Sequence, residues 1–119
     1  MTRRLLAAGA LLAALGVMLG AFGAHALRGA FGPAETGWWQ TAVAYQMWHA
    51  LALVAIGASG LRGLAAPAWL LGAGALIFSG TLYIMALTGL RWLGAVTPIG
   101  GLLMIAGWLW LAFRALRSA

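Results

Sequence analysis

His25 and His49 are the only imidazoles of this 119-residue chain, and Tyr45 and Tyr83 are its only phenols. Tyr45, Gln46 and His49 stand at i, i+1 and i+4, a spacing that puts them on one broad face of a helix. Ser79 and Tyr83 are one turn apart and share a face in the same way. Thr97 and Pro98 follow in a third polar position. Imidazole, phenol, amide and hydroxyl groups suit proton transfer, metal ligation, axial haem ligation or the binding of a quinone or lipid head. Each chemistry can be weighed on residue types. Zinc normally takes three or four ligands, and this chain has two His, no Cys and a single acid, Glu35. Met47, Met85 and Met104 could serve a soft copper ion, yet Met is an ordinary core residue and is read as such. Two His on two helices can ligate one haem, but His25 falls near a helix end and His49 deeper, a poor match for one iron. No acid is placed to orient a His beside a nucleophile, and no glycine-rich phosphate loop follows a strand. No catalytic residue, metal or cofactor is therefore expected, and the balance falls against an enzyme.

The elements that must position these residues follow from composition. The chain is 65% apolar and 7% charged, against about 45–50% and about 25% in soluble domains. A crossing needs about 20 mainly apolar residues, and four blocks meet that length, roughly 5–27, 41–59, 68–87 and 98–113. They are long, uninterrupted by charge and without period-two alternation, which favours helix over strand. The expectation is an all-α membrane protein, a four-helix transmembrane bundle forming one domain over residues 1–119. Pro67 and Pro98 suit first-turn positions, and Thr97 and Thr41 are candidate N-caps. Pro33 offers an earlier start to the second helix, with Glu35 in its first turn and Gly37 weakening the continuation. The run after Arg3 and Arg4, with Ala24-His25-Ala26 beyond it, resembles a secretory signal. Its apolar stretch exceeds the usual core of about 7–15 residues, so a permanent first helix is expected.

Charge gives an orientation. The net charge is +6 and all seven basic residues are Arg. They punctuate apolar blocks rather than forming a stripe, so they mark topology and headgroup contact and not a nucleic-acid partner. Four crossings put Arg3, Arg4, Arg62, Arg114 and Arg117 on one side and Arg28 and Arg91 on the other. The excess predicts both termini in the cytoplasm of a bacterial inner (plasma) membrane.

Helices in lipid associate through close approach of small residues. Gly16, Gly20 and Ala24 recur at every fourth position of the first block, as do Gly9 and Ala13. Gly72 and Gly80 share a face of the third, and Gly100 and Gly107 one of the fourth. Trp38, Trp39, Trp69, Trp92, Trp108 and Trp110 near block ends read as an interfacial belt. With this topology His25, Tyr45, Gln46, His49, Ser79, Tyr83, Thr97 and Pro98 collect in the outer half of the bundle. Polar groups in hydrocarbon face inward and pair. They form a structural cluster that fixes helix register, a site for a small molecule, lipid, quinone or metal, or a surface for a partner protein.

Four strings, GAFGAHAL at 20–27, YQMWHALAL at 45–53, FSGTLYIMALTG at 78–89 and TPIGGLLMIAGW at 97–108, together resemble the domain-of-unknown-function family 423, the YgdD-like bacterial membrane proteins, to which the animal transmembrane protein 256 is similar. The resemblance runs in order along nearly the whole chain. It implies a four-helix inner-membrane protein and brings no catalytic residues. It places His25, Tyr45, Gln46, His49, Ser79, Tyr83, Thr97 and Pro98 within family strings without giving them roles. The expected partners are membrane lipids and a homo-oligomer or larger membrane complex. The leading expectation is a non-enzymatic interaction or accessory protein. The alternative is a binder or transporter of a small apolar ligand.

Overall fold

A computed structural model describes residues 2–118 and contains the four helices α1 (Thr2–His25), α2 (Pro33–Ser59), α3 (Ala65–Thr88) and α4 (Thr97–Ser118), with a short 3-10 turn over Arg91–Ala95. Each of the four stretches is long and apolar enough to cross a membrane. The second helix begins at Pro33 rather than near Thr41. Gly32 occupies its N-cap position in extended backbone and Pro33 supplies a preset φ, so Gly37 is absorbed into a helix already nucleated. Thr41 is consequently an interior residue. Two helices end on left-handed glycines, Gly60 at φ +72° and Gly89 at φ +75°, a conformation that side chains with a Cβ resist.

Neighbours in sequence are neighbours in space, and all run antiparallel. The backbones of α1 and α2, of α2 and α3, and of α3 and α4 lie side by side. Among the described residues α1 meets α3 only marginally and makes no close backbone approach to α4. The bundle is thus a flattened zigzag of helices in chain order, 50 × 26 × 16 Å. α3 is the most enclosed, with 50% of its most apolar stretch buried against 17% for α1 and 22% for the α4 span. The exposed leucines of α1 and α4, such as Leu11 and Leu102, are what a lipid-facing flank requires.

Register comes from backbone contact at glycine. A Cβ at Gly9 would sit 2.7 Å from the Ala50 carbonyl oxygen, and one at Gly57 2.6 Å from the Leu6 nitrogen. Gly74 and Gly100 face each other across α3 and α4, each Cβ position within 2.9 Å of the other residue's carbonyl oxygen. These approaches bring the dispersion contacts that hold helices together where burial from water contributes little. The expected glycine faces are therefore met in part. Gly20 has only the Val43 methyl, at 3.4 Å, and Gly80 has nothing within 4 Å. Two apolar clusters result. One, of Leu5, Leu53, Ile56, Leu64, Ala68 and Leu71, fills the end that holds the termini. The other, around Ala42, Leu82 and Met85, fills the end that holds the α1–α2 and α3–α4 connections.

Candidate functional site

Between these clusters the polar side chains tie the helices together. Gln46 is central. Its Nε2 donates to the Leu12 carbonyl of α1 at 2.9 Å, and its Oε1 accepts from the Tyr83 hydroxyl of α3 at 2.6 Å. One amide thus joins three helices with both its ends used. Ser79 donates to the Ala42 carbonyl at 2.7 Å, a second α3–α2 link. Thr81 and Thr97 meet hydroxyl to hydroxyl at 2.6 Å and link α3 to α4. Thr97 also donates toward the Leu93 carbonyl at 3.1 Å, so its hydroxyl works between helices and back to the 3-10 turn before α4 instead of capping α4.

His49 is engaged at both ring nitrogens. Nδ1 lies 2.8 Å from the Tyr45 carbonyl, and Nε2 accepts from the Trp108 indole at 3.0 Å. A carbonyl only accepts and an indole N–H only donates. The ring is therefore the neutral tautomer with its proton on Nδ1, stacked on Tyr45 at 6.3 Å. Neither nitrogen is left for a metal. His25 stands apart. It is the exposed last residue of α1, while His49 lies about 15 Å along α2 from Trp39, the residue level with that end. Among the described residues no group of three His, Cys, Asp or Glu comes together.

Of the eight residues singled out from the sequence, Gln46 and Tyr83 bond directly, Tyr45 and His49 stack, and Ser79 and Thr97 join neighbouring helices. His25 and Pro98 are exposed at helix ends and take no part. The level also differs. Because α2 starts at Pro33, His49 lies about 24 Å along it rather than about 12 Å. The polar set spreads from mid-helix toward the end with the two connections.

Trp39, Trp108 and Thr81 carry links that composition does not reveal. Trp39 is 4% exposed and is no headgroup anchor. Its indole donates to the Leu19 carbonyl at 2.8 Å and meets Tyr83 edge-on at 4.7 Å. A glycine stands beside both of the bonds that α1 accepts from α2. The carbonyls used are Leu12 and Leu19, and one turn beyond each stands a glycine, Gly16 and Gly23. A Cβ at Gly23 would collide with the Trp39 ring, whereas one at Gly16 would meet the Met47 sulfur and stand at an ordinary 3.5 Å from the Gln46 Nε2. Gly23 uncovers the Leu19 carbonyl to the Trp39 indole, while Gly16 makes room for the Met47 side chain beside the Gln46 bond. Glycine four residues after the acceptor is a sequence signal that could have located the Trp39 link.

Beside this set a groove of about 370 Å³ runs between α2 and α4 over Phe78, lined by Tyr45, Trp48, His49, Met104 and Trp108 among others. A larger cleft of about 590 Å³ opens between α1 and α2 at the end with the two connections.

Residues 19–101 match the family described as "Protein of unknown function (DUF423)". The chain belongs to the DUF423 family. It is 52% identical over 112 residues to the UPF0382 membrane protein SH2409 of Staphylococcus haemolyticus, covering 92% of each chain. It is 40% identical over 105 residues to the UPF0382 inner membrane protein YgdD of Escherichia coli strain K12, covering 85% of this chain and 80% of that one. UPF0382 membrane protein YwdK of Bacillus subtilis is 40% identical over 114 residues, with 92% and 93% covered. No solved structure matches. The DUF423 match begins at Leu19 and ends at Gly101, so it spans Trp39, Gln46, His49, Ser79, Tyr83 and Thr97. With four apolar helices and relatives that are membrane proteins, this DUF423 chain is an integral membrane protein.

Proposed function

We propose that the chain is a non-catalytic module of the inner membrane, with both termini in the cytoplasm, that acts by associating with other membrane-embedded helices in a homo-oligomer or larger complex. The observation that carries this reading is the closed state of the polar set. Among the described residues no buried side-chain nitrogen or oxygen lacks a hydrogen-bond partner. A general acid, base or ligand needs a free atom aimed at a substrate, and His49, Gln46 and Tyr83 spend theirs on the fold. Orientation rests on charge. Arg62 lines the same recess as Thr2 and Leu5, and Arg114 donates to the Gly63 carbonyl at 2.7 Å. The richer Arg group is thereby gathered at one end, the pattern of a cytoplasmic face.

A second reading has one observation in its favour. The groove beside His49 is apolar and of a size for a flat ring or an acyl chain. It ranks below because Trp108 and His49, both in its lining, are bonded to each other. Photo-crosslinking in the native membrane separates the two. A reactive residue replacing Leu11 on α1 or Leu102 on α4, which are 72% and 66% exposed, should give a discrete protein adduct from one flank. Small-molecule adducts confined to the same probe at Trp48, on the groove wall, would favour the second reading. Lipid adducts alone from all three positions would contradict association.

A further inference from the structure

The cleft between α1 and α2 contains none of the hydrogen-bonded polar set except the Trp39 indole that forms its floor. Its walls are Gly20, Gly23, Ala24 and Leu27 on one side and Thr36, Gln40, Val43 and Ala44 on the other, with Arg28 and Phe31 at the mouth. The floor is rigid, because Trp39 is bonded to the Leu19 carbonyl and packed against Phe22, Phe31 and Tyr83. The cleft exists because Gly20 leaves the space beside Val43 unfilled, at the level where Gly9 and Gly57 no longer press the helices together. From Thr36 to Ala44 it descends about 12 Å, close to the depth of one leaflet's hydrocarbon, about 15 Å. Its volume of about 590 Å³ lies within the range of built ligand pockets, about 300–1,000 Å³.

The charge at the mouth selects the occupant. Arg91, Arg114 and Arg117 lie over the rings of Trp38, Trp110 and Phe113. Arg28 is exposed and, among the described residues, has no ring, carbonyl or carboxylate partner. Gln40, exposed on the α2 wall about 6 Å below Thr36, is also uncommitted. The only acid, Glu35, turns toward Gly32 and is not part of the lining. A guanidinium at the mouth of a cleft walled mainly by small and apolar residues matches a phosphate above an acyl chain. We propose that this cleft binds one anionic phospholipid, its phosphate at Arg28 and one acyl chain laid past Gln40 along Gly20, Val43 and Ala44 on the Trp39 floor. The site is separate from the non-catalytic reading, since neither Arg28 nor Gly20 belongs to the helix-linking set.

The test is native mass spectrometry of the full chain released from nanodiscs holding equal amounts of dioleoylphosphatidylglycerol and dioleoylphosphatidylcholine. One Arg near a membrane surface biases anionic-lipid occupancy by about fivefold. The unsubstituted chain should retain one phosphatidylglycerol with that preference. Arg28→Ala should equalise the two lipids, while Arg91→Ala, at the same end but outside the cleft, should leave the preference intact. Gly20→Leu should expel the retained lipid of either type. Ala24→Leu, on the exposed wall, should do the same and makes the test independent of packing at Gly20. Equal retention by the unsubstituted chain would overturn the proposal, as would an Arg91→Ala effect as large as that of Arg28→Ala. Lipid still held by both cleft-filling variants would overturn it, and so would a dimer that those variants dissolve, which would make the occupant a second copy.

Discussion

At the scale of residues, the polar side chains act by closing one another. His49 shows the logic best, because an imidazole with both nitrogens engaged has its tautomer dictated by its neighbours. The expected state is a proton on Nδ1 and a lone pair on Nε2, which nitrogen chemical shifts of labelled histidine will report. A proton found on Nε2 would contradict the Trp108 bond. Trp108→Phe removes the donor and should cost about 0.5–1.5 kcal/mol in unfolding of the detergent-solubilised chain. The identities and faces of Tyr45, Gln46, His49, Ser79 and Tyr83 were legible in the sequence, because spacing alone sets them on a helix. The role of Trp39 was not. Hydropathy cannot separate a tryptophan at a headgroup from one that points its N–H at a carbonyl uncovered by Gly23.

At the scale of elements, the crossings were legible because nothing but lipid accommodates four uninterrupted apolar runs. The start of α2 was harder, since Gly37 and the Trp38–Trp39 pair interrupt the apolar signal while Gly32 and Pro33 begin the helix before it. Glycine spacing marked faces without saying which neighbour each one meets. Gly100 and Gly80 make the distinction measurable. A side chain at Gly100 would enter the backbone of α3, 2.5 Å from the Phe78 nitrogen, whereas Gly80 has open space. Gly100→Leu should therefore cost at least about 1–3 kcal/mol and separate α3 from α4. Gly80→Ala should be neutral or gain up to about 1 kcal/mol of helix propensity. Denaturant titration of helicity in mixed micelles checks the pair, and equal effects would argue against the α3–α4 register.

At the scale of the whole molecule, a flattened row of helices leaves both flanks and two broad faces to the bilayer. The arginine asymmetry predicts that paired activity reporters will read cytoplasmic at the C-terminus and external in the Arg91 connection. The reverse pattern would overturn the proposed orientation without disturbing the fold. Cohesion of the row depends on Gln46, which holds α1 through Leu12 and α3 through Tyr83. The central claim is that this polar set is a structural lock, and a double-mutant cycle on Gln46 and Tyr83 tests it most directly. Gln46→Leu and Tyr83→Phe should each destabilise the solubilised chain by about 0.5–2 kcal/mol. The double variant should lose clearly less than the sum, because the second substitution removes a group the first left unpaired. Strictly additive losses, or single variants as stable as the parent, would contradict the lock.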